Sequence, residues 1–331
     1  MSILRYPDVN WSLPLLFSND EYINSVAITM KRLNLKNPIT YAYGMVPSLW
    51  TGGRISKYKT QDFSKIEASL NFVLSLGTTP VFTLSRHDIE KDDLNDEFCN
   101  RLLDFGVESG CEFIISSDLL YNHIKDRHPQ AKCVASVLKT IFERETIENF
   151  NELNFYNQLL DKYERVVVRP EYGKTDLLKD YDKLKDLSKI EVLVNQICVW
   201  NCTYATTEHT YIPKKDWTLY NKEKNREQFE DKDDEPTCPR REMTKRIGPK
   251  ANLTAPHLMY SEEEMNNLVY NLKIKNLKLQ GRNYHEVENT RMINNYIFNG
   301  MGEYQNVLPI ILGNCERSRN ERLVFQRWKF W

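Results

Sequence analysis

No run of 18 apolar residues occurs anywhere in these 331 residues, so no membrane-spanning helix is expected. The opening residues, MSILRYPDVNW, hold no apolar core, so no secretory leader is expected either. An excess of charge is also missing. The 45 Lys and Arg stand against 46 Asp and Glu, which removes the basic footprint of a nucleic-acid binder. No G-x-G-x-x-G follows a first strand, which weighs against a dinucleotide fold. Neither H-E-x-x-H nor G-x-S-x-G is present, so two hydrolase signatures are absent. The seven cysteines are odd in number and irregularly spaced, which is no disulfide framework. A reducing, cytoplasmic setting fits them best, with thiols free or metal-bound.

What is present is alternation. Short β-branched and aromatic runs at 10–18, 39–46, 79–85, 111–117, 131–137, 165–170, 190–195 and 276–282 read as strands, and 251–256 is a further candidate. Between them lie segments with apolar residues at helical spacing: 20–34, 60–76, 93–109, 118–127, 142–161, 174–187, 261–273 and 285–298. Ser261 with Glu264 gives one of these a capping box. Strands separated by helices argue a parallel sheet with helices outside. Eight such units favour a TIM-like (β/α)8 barrel over an open sheet. The expected organisation is one α/β barrel domain over residues 1–300. It includes a long, charged rim insertion at 213–250, and a tail at 301–331, rich in aromatics, docks on the barrel.

In such a barrel, chemistry belongs to the loops after the strands. Arg54, Arg86, Arg169 and Arg282 all fall at strand ends, which suggests an anionic substrate held by bidentate pairing. Gly52-Gly53-Arg54 reads either as a simple turn or as an anion-holding loop. Arg54 and Arg282 are expected to share a cavity with Asn195 at its wall. Straight after the strand at 190–195 come Cys198, Cys202 and His209, and Cys238 lies within the charged insertion. Thiolates suit zinc, copper(I) or iron–sulfur clusters. Ordinary buried thiols are the competing reading, because C-x-x-x-C alone is a weak motif. A metal would give the insertion, poor in aliphatic residues, a reason to be ordered. Cys198, Cys202 and Cys238 are therefore expected to converge, with His209 near them as the candidate fourth ligand and a substrate or an open position as the alternatives.

Several segments, taken in order, resemble the collagenase-like peptidase family of unassigned catalytic type, U32. They are YGMVPSLWTGGR (43–54), GCEFIISSDLLYNHIKDRHPQAKCVASV (110–137), EVLVNQICVWNCTYATTEHTY (191–211) and LKLQGR (277–282). The third resembles the family's E-x-L-V-N-x-x-C-x-x-x-C run. The last resembles its late K-x-x-G-R, and brings Lys278 with Arg282 into the expected substrate-binding set. The resemblance implies a barrel fold. It also implies, for some members, a four-cysteine iron–sulfur (4Fe-4S) cluster serving oxygen-independent hydroxylation of ubiquinone precursors or RNA bases. This chain departs from that pattern: Thr203 stands where the family usually has Pro, an Arg common nearby is missing, and three cysteines rather than four fall in the region. The expectation is a cluster- or metal-dependent redox enzyme with a small-molecule or macromolecular substrate and no membrane. Zinc is the alternative metal. A peptidase, or a metal-stabilised scaffold binding a protein partner, is the alternative function.

Overall fold

The computed structural model describes residues 3–17, 20–46, 48–51, 63–196, 258–280 and 293–299. Eight strands close into a barrel: β1 (Asn10–Leu13), β2 (Ile39–Gly44), β3 (Thr79–Leu84), β4 (Glu112–Ile115), β5 (Lys132–Ala135), β6 (Arg165–Val168), β7 (Ile190–Leu193) and β10 (Asn276–Lys278). Every neighbouring pair is parallel, and β10 closes the ring between β7 and β1. The expected (β/α)8 barrel is therefore present. Between β7 and β10 sit two short strands outside the ring, β8 (Asn195–Gln196) and β9 (Leu258–Met259), paired antiparallel to each other.

The side chains sort by strand alternation. Phe82, Phe113, Ile115, Cys133, Val166, Val168, Val192 and Leu277 belong to the large core between strands and helices. Tyr43, Val81, Ile114, Val134 and Val167 form a separate, smaller cluster inside the ring. That interior is not wholly aliphatic. Arg165 Nη1 lies 2.9 Å from Glu112 Oε2, and Arg165 Nε lies 3.8 Å from Glu191 Oε2. The Arg165 guanidinium stacks 3.4 Å from the Tyr41 ring centroid. Burial pushes the Glu112 carboxyl up. Burial acts the same way on Glu191, but Lys278, Arg165 and Ser12 outweigh it and hold that carboxyl below the usual range.

The helices are α1 (Asp20–Arg32), α2 (Phe63–Ser75), α3 (Glu97–Glu108), α4 (Asp118–Arg127), α5 (Val137–Thr146), α6 (Glu152–Lys162), α7 (Pro170–Thr175) and α8 (Leu177–Asp180). Two differ from the sequence reading. The expected helix at 142–161 is two helices, broken where Asn149 takes a positive φ and Asn151 caps α6 through the Asn154 amide. The expected helix at 174–187 is two short pieces followed by a 3-10 turn at Leu187–Lys189. The helix Glu262–Asn266 starts on the expected capping box, then widens into a π-turn at Asn267–Asn271. No helix among the described residues is long and apolar enough to cross a membrane. The strand candidate at 251–256, most of the insertion's surroundings and the tail at 301–331 lie outside the described residues.

Candidate active site at the barrel mouth

The parallel strands all end at one mouth, and most polar groups there have local work. The Ser117 hydroxyl accepts from the Leu120 amide and caps α4, while Ser136 accepts from Leu138 and caps α5. The Ser116 hydroxyl donates to the Ser85 carbonyl at 2.7 Å, tying the end of β4 to that of β3. Polar strand ends are thus largely helix starts, since the first amides of a helix need acceptors.

The strand-end arginines are likewise engaged. Arg86 is paired with Asp88 at 3.2 Å and Asp93 at 3.1 Å. Arg169 is paired with Glu152 at 3.1 Å and Glu171 at 3.0 Å. Each guanidinium is met by two carboxylates, so neither adds net positive charge for an incoming anion. The other two, Arg54 and Arg282, lie outside the described residues, as do Cys198, Cys202, His209 and Cys238.

Asn195 and Lys278 are both placed at this end of the barrel. The Asn195 carboxamide is fully buried; its Nδ2 donates to the Gln280 carbonyl at 2.6 Å, and its Oδ1 accepts from the Gln280 amide at 2.7 Å. This two-bond ring continues the β7–β10 ladder by side chain and sets the wall of the mouth. Lys278 is 8% exposed and points into the ring, its ammonium 3.8 Å from the Tyr43 ring centroid. Tyr43 in turn donates to the Leu279 carbonyl at 2.6 Å. The amine thus lies over an aromatic face with the buried Glu191 carboxylate close enough to feel its charge.

Three groups at or beside the mouth were not anticipated from sequence. Lys139 is buried to 2% exposure and held by Asp118 at 2.7 Å and Glu143 at 3.7 Å. His87, three residues past β3, lies flat on Phe142 with ring centroids 4.0 Å apart. Thr83, on the inner face of β3, buries a hydroxyl that has no hydrogen-bond partner within the protein. Only the rule that barrel chemistry sits past strand ends could have flagged Thr83 and His87. Lys139 sits on α5 and carried no signal.

For a metal, the described cysteines offer little. Cys99, Cys111 and Cys133 are buried, and burial raises all three thiols, Cys111 and Cys133 to about 12. They are neutral core residues rather than thiolate ligands. No group of three or more potential ligands gathers among the described residues.

The ladder of β8 and β9 bears on the Cys-bearing segment. Asn195 pairs with Met259, and Gln196 with Leu258. The Tyr260 amide donates to the Val194 carbonyl at 2.9 Å, and Lys174 Nζ donates to the Met259 carbonyl at 2.7 Å. The chain thus departs after Gln196 and returns at Leu258 through adjacent, pinned backbones at the mouth.

Comparison with solved structures gives the same architecture. The U32 peptidase Mk0906 superposes with a TM-score of 0.50 at 7% identity, over 83% of this chain and 93% of that one. This chain shares its fold. The Bacillus cereus spore cortex-lytic enzyme SleL aligns over 89% of this chain and 76% of its own at 12% identity, with a TM-score of 0.40. No protein-family model and no curated protein matches the sequence.

Proposed function

We propose that this chain is a U32-like barrel protein whose mouth carries an iron–sulfur or metal centre used in redox modification, of the oxygen-independent hydroxylation type, of an anionic substrate. The β8–β9 ladder carries the reading. In sequence Cys198 follows Gln196, the last residue of β8, by two residues. The segment bearing Cys202, His209 and Cys238 leaves and re-enters through the same pinned pair of strands. In this reading Cys198, Cys202 and Cys238 supply the thiolates and His209 the fourth ligand. A bound cluster would supply one-electron chemistry.

The chain's own residues would bind and orient. Lys278 offers a desolvated cation at the floor, and Arg54 and Arg282 are the proposed clamps for the anion. Asn195 holds the β10 end, and so the loop that begins beyond Gln280, in register with β7.

The structural neighbour Mk0906 is named a peptidase, and peptide hydrolysis needs an activated nucleophile or an open metal with a base. The Ser116, Ser117 and Ser136 hydroxyls are used structurally. His123 is bonded to Asn100 and His128 to Asp104, and the contact of His87 with Ser116 is to its backbone. These contacts favour the redox reading.

Anaerobic purification with an absorption spectrum and counts of iron and sulfide tests the proposal. Iron with matching sulfide is the expected result, and replacing Cys198, Cys202 or Cys238 by Ser should each lower iron sharply. Zinc without sulfide would support a closed scaffold site instead. Metal content unaffected by all three substitutions would sink the three-thiolate site.

A further inference from the structure

The loop after β3 is tied to Leu49 and Trp50 through Arg86 and the Asp93 carbonyl, and His87 is its contact with α5. The imidazole lies face to face with Phe142, 4.0 Å between centroids and 12° between planes. Its Nδ1 is buried and has no hydrogen-bond partner. From α5, Lys139 and Glu143 face it; from its own loop, Asp88 does; beneath it lies the Ser116 backbone at the end of β4. Lys139 is itself buried and held by Asp118 of α4 and by Glu143. We propose that His87 is a pH-sensitive latch that fastens the β3 loop to α5 while its imidazole is neutral and releases the loop when it is protonated.

The chemistry follows from the surroundings. An imidazolium is a donor at both nitrogens. Here one of them would bury an N–H without an acceptor, next to the ammonium of Lys139. Glu143, a hydrogen bond to the Ser116 backbone and Asp88 pull the other way, but Glu143 shares its charge with Lys139. Burial first, and Lys139 second, push the His87 pKa below its ordinary value. The sign follows by linkage. Above the ordinary histidine value of about 6.5 neither latched nor released loop binds the proton, and pH has no effect. Below it the released loop takes up a proton that the latched ring refuses. The latch then weakens by up to about tenfold per pH unit, until the lowered value of the latched ring is reached. The loop concerned is one of those that border the mouth, so acid would change access there whichever metal or substrate the mouth holds.

The test uses the full chain with its six histidines labelled at Cε1, His87→Gln assigning the resonance. The His87 midpoint should lie below 6.5 and move up toward it in Phe142→Leu, which removes the stack. Hydrogen exchange over residues 85–91, corrected for intrinsic rates, should accelerate as pH falls below 6.5 in the wild type. It should stay flat in His87→Phe, which keeps a ring on Phe142 but cannot titrate. A wild-type midpoint at or above 6.5, pH-independent exchange, or the same acceleration in His87→Phe would each overturn the latch. Should His87→Phe fail to fold, the shift in Phe142→Leu decides alone.

Discussion

Gly44 ends β2 where no side chain fits: a Cβ built there would stand 2.3 Å from the Leu16 carbonyl oxygen and 2.9 Å from Leu16 Cβ. Backbone cannot retreat as a flexible side chain can, so Gly44→Ala should cost about 1–3 kcal/mol through overpacking. Urea unfolding of the pair of proteins measures it. Asn195 makes a different kind of demand. Its carboxamide satisfies both backbone groups of Gln280, and Asn195→Ala would remove two partly buried hydrogen bonds at about 1 kcal/mol each. Asn195→Asp should be nearly as harmful, because an ionised carboxylate keeps the acceptor but loses the donor to the Gln280 carbonyl. If Asn195→Asp matched the wild type in stability, the two-bond ring would not be what holds this edge. A Tyr-Gly pair and an Asn at a strand end are visible in any sequence reading. The partners that explain them, Leu16 and Gln280, are distant in sequence and were not.

At the scale of elements, capping decides more than periodicity. Ser261 and Glu264 reciprocate hydrogen bonds across the first turn of a five-residue helix, with Ser261 N donating to Glu264 Oε2 at 2.6 Å. So short a helix gains little from propagation, and Ser261→Ala should cost about 1 kcal/mol. The loss should appear first as faster amide exchange at 262–268, and unchanged exchange there would count against the cap's importance. This motif was legible because its signal is local. The break inside 142–161 was not, since apolar spacing continues through Phe142, Leu153, Tyr156 and Leu160 on both sides of it. Asn149 in the left-handed region and Asn151 as a cap turn one apparent helix into two. The strand ends erred in the opposite sense. The strand-end arginines read as substrate groups, yet Arg86 and Arg169 are each closed by two acidic partners, while the serines beside them, Ser117 and Ser136, start helices. Alternation of strand and helix was enough to infer the barrel, because it depends only on period. The use made of each polar residue depends on contacts between elements.

The molecule as a whole closes around charge. Glu112 of β4, Arg165 of β6 and Glu191 of β7 meet inside the ring, with Lys278 of β10 and the Tyr41 and Tyr43 rings of β2 against them. These residues span four of the eight strands in charge and a fifth in aromatic faces, so the network reads out whether the ring has closed. The exposures of the four charged residues run from none at Glu191 to 8% at Lys278, so water cannot readily replace a lost partner. Desolvation makes such a cluster a poor source of net stability, but a severe liability when broken. Arg165→Met should therefore lower unfolding stability by about 3–5 kcal/mol, mostly as the penalty of leaving Glu112 buried without its close partner, since Glu191 keeps Lys278 and Ser12. The diagnosis is checked by compensation. Adding Glu112→Gln to Arg165→Met should recover a large part of the loss, because one uncompensated charge has been removed while shape is kept. The same Glu112→Gln change made alone should destabilise, since it leaves Arg165 with the more distant Glu191. A double-mutant cycle in urea that returned simple additivity would mean the two side chains act independently, and the ring would owe its closure to the aliphatic plug of Val81, Ile114, Val134 and Val167 instead.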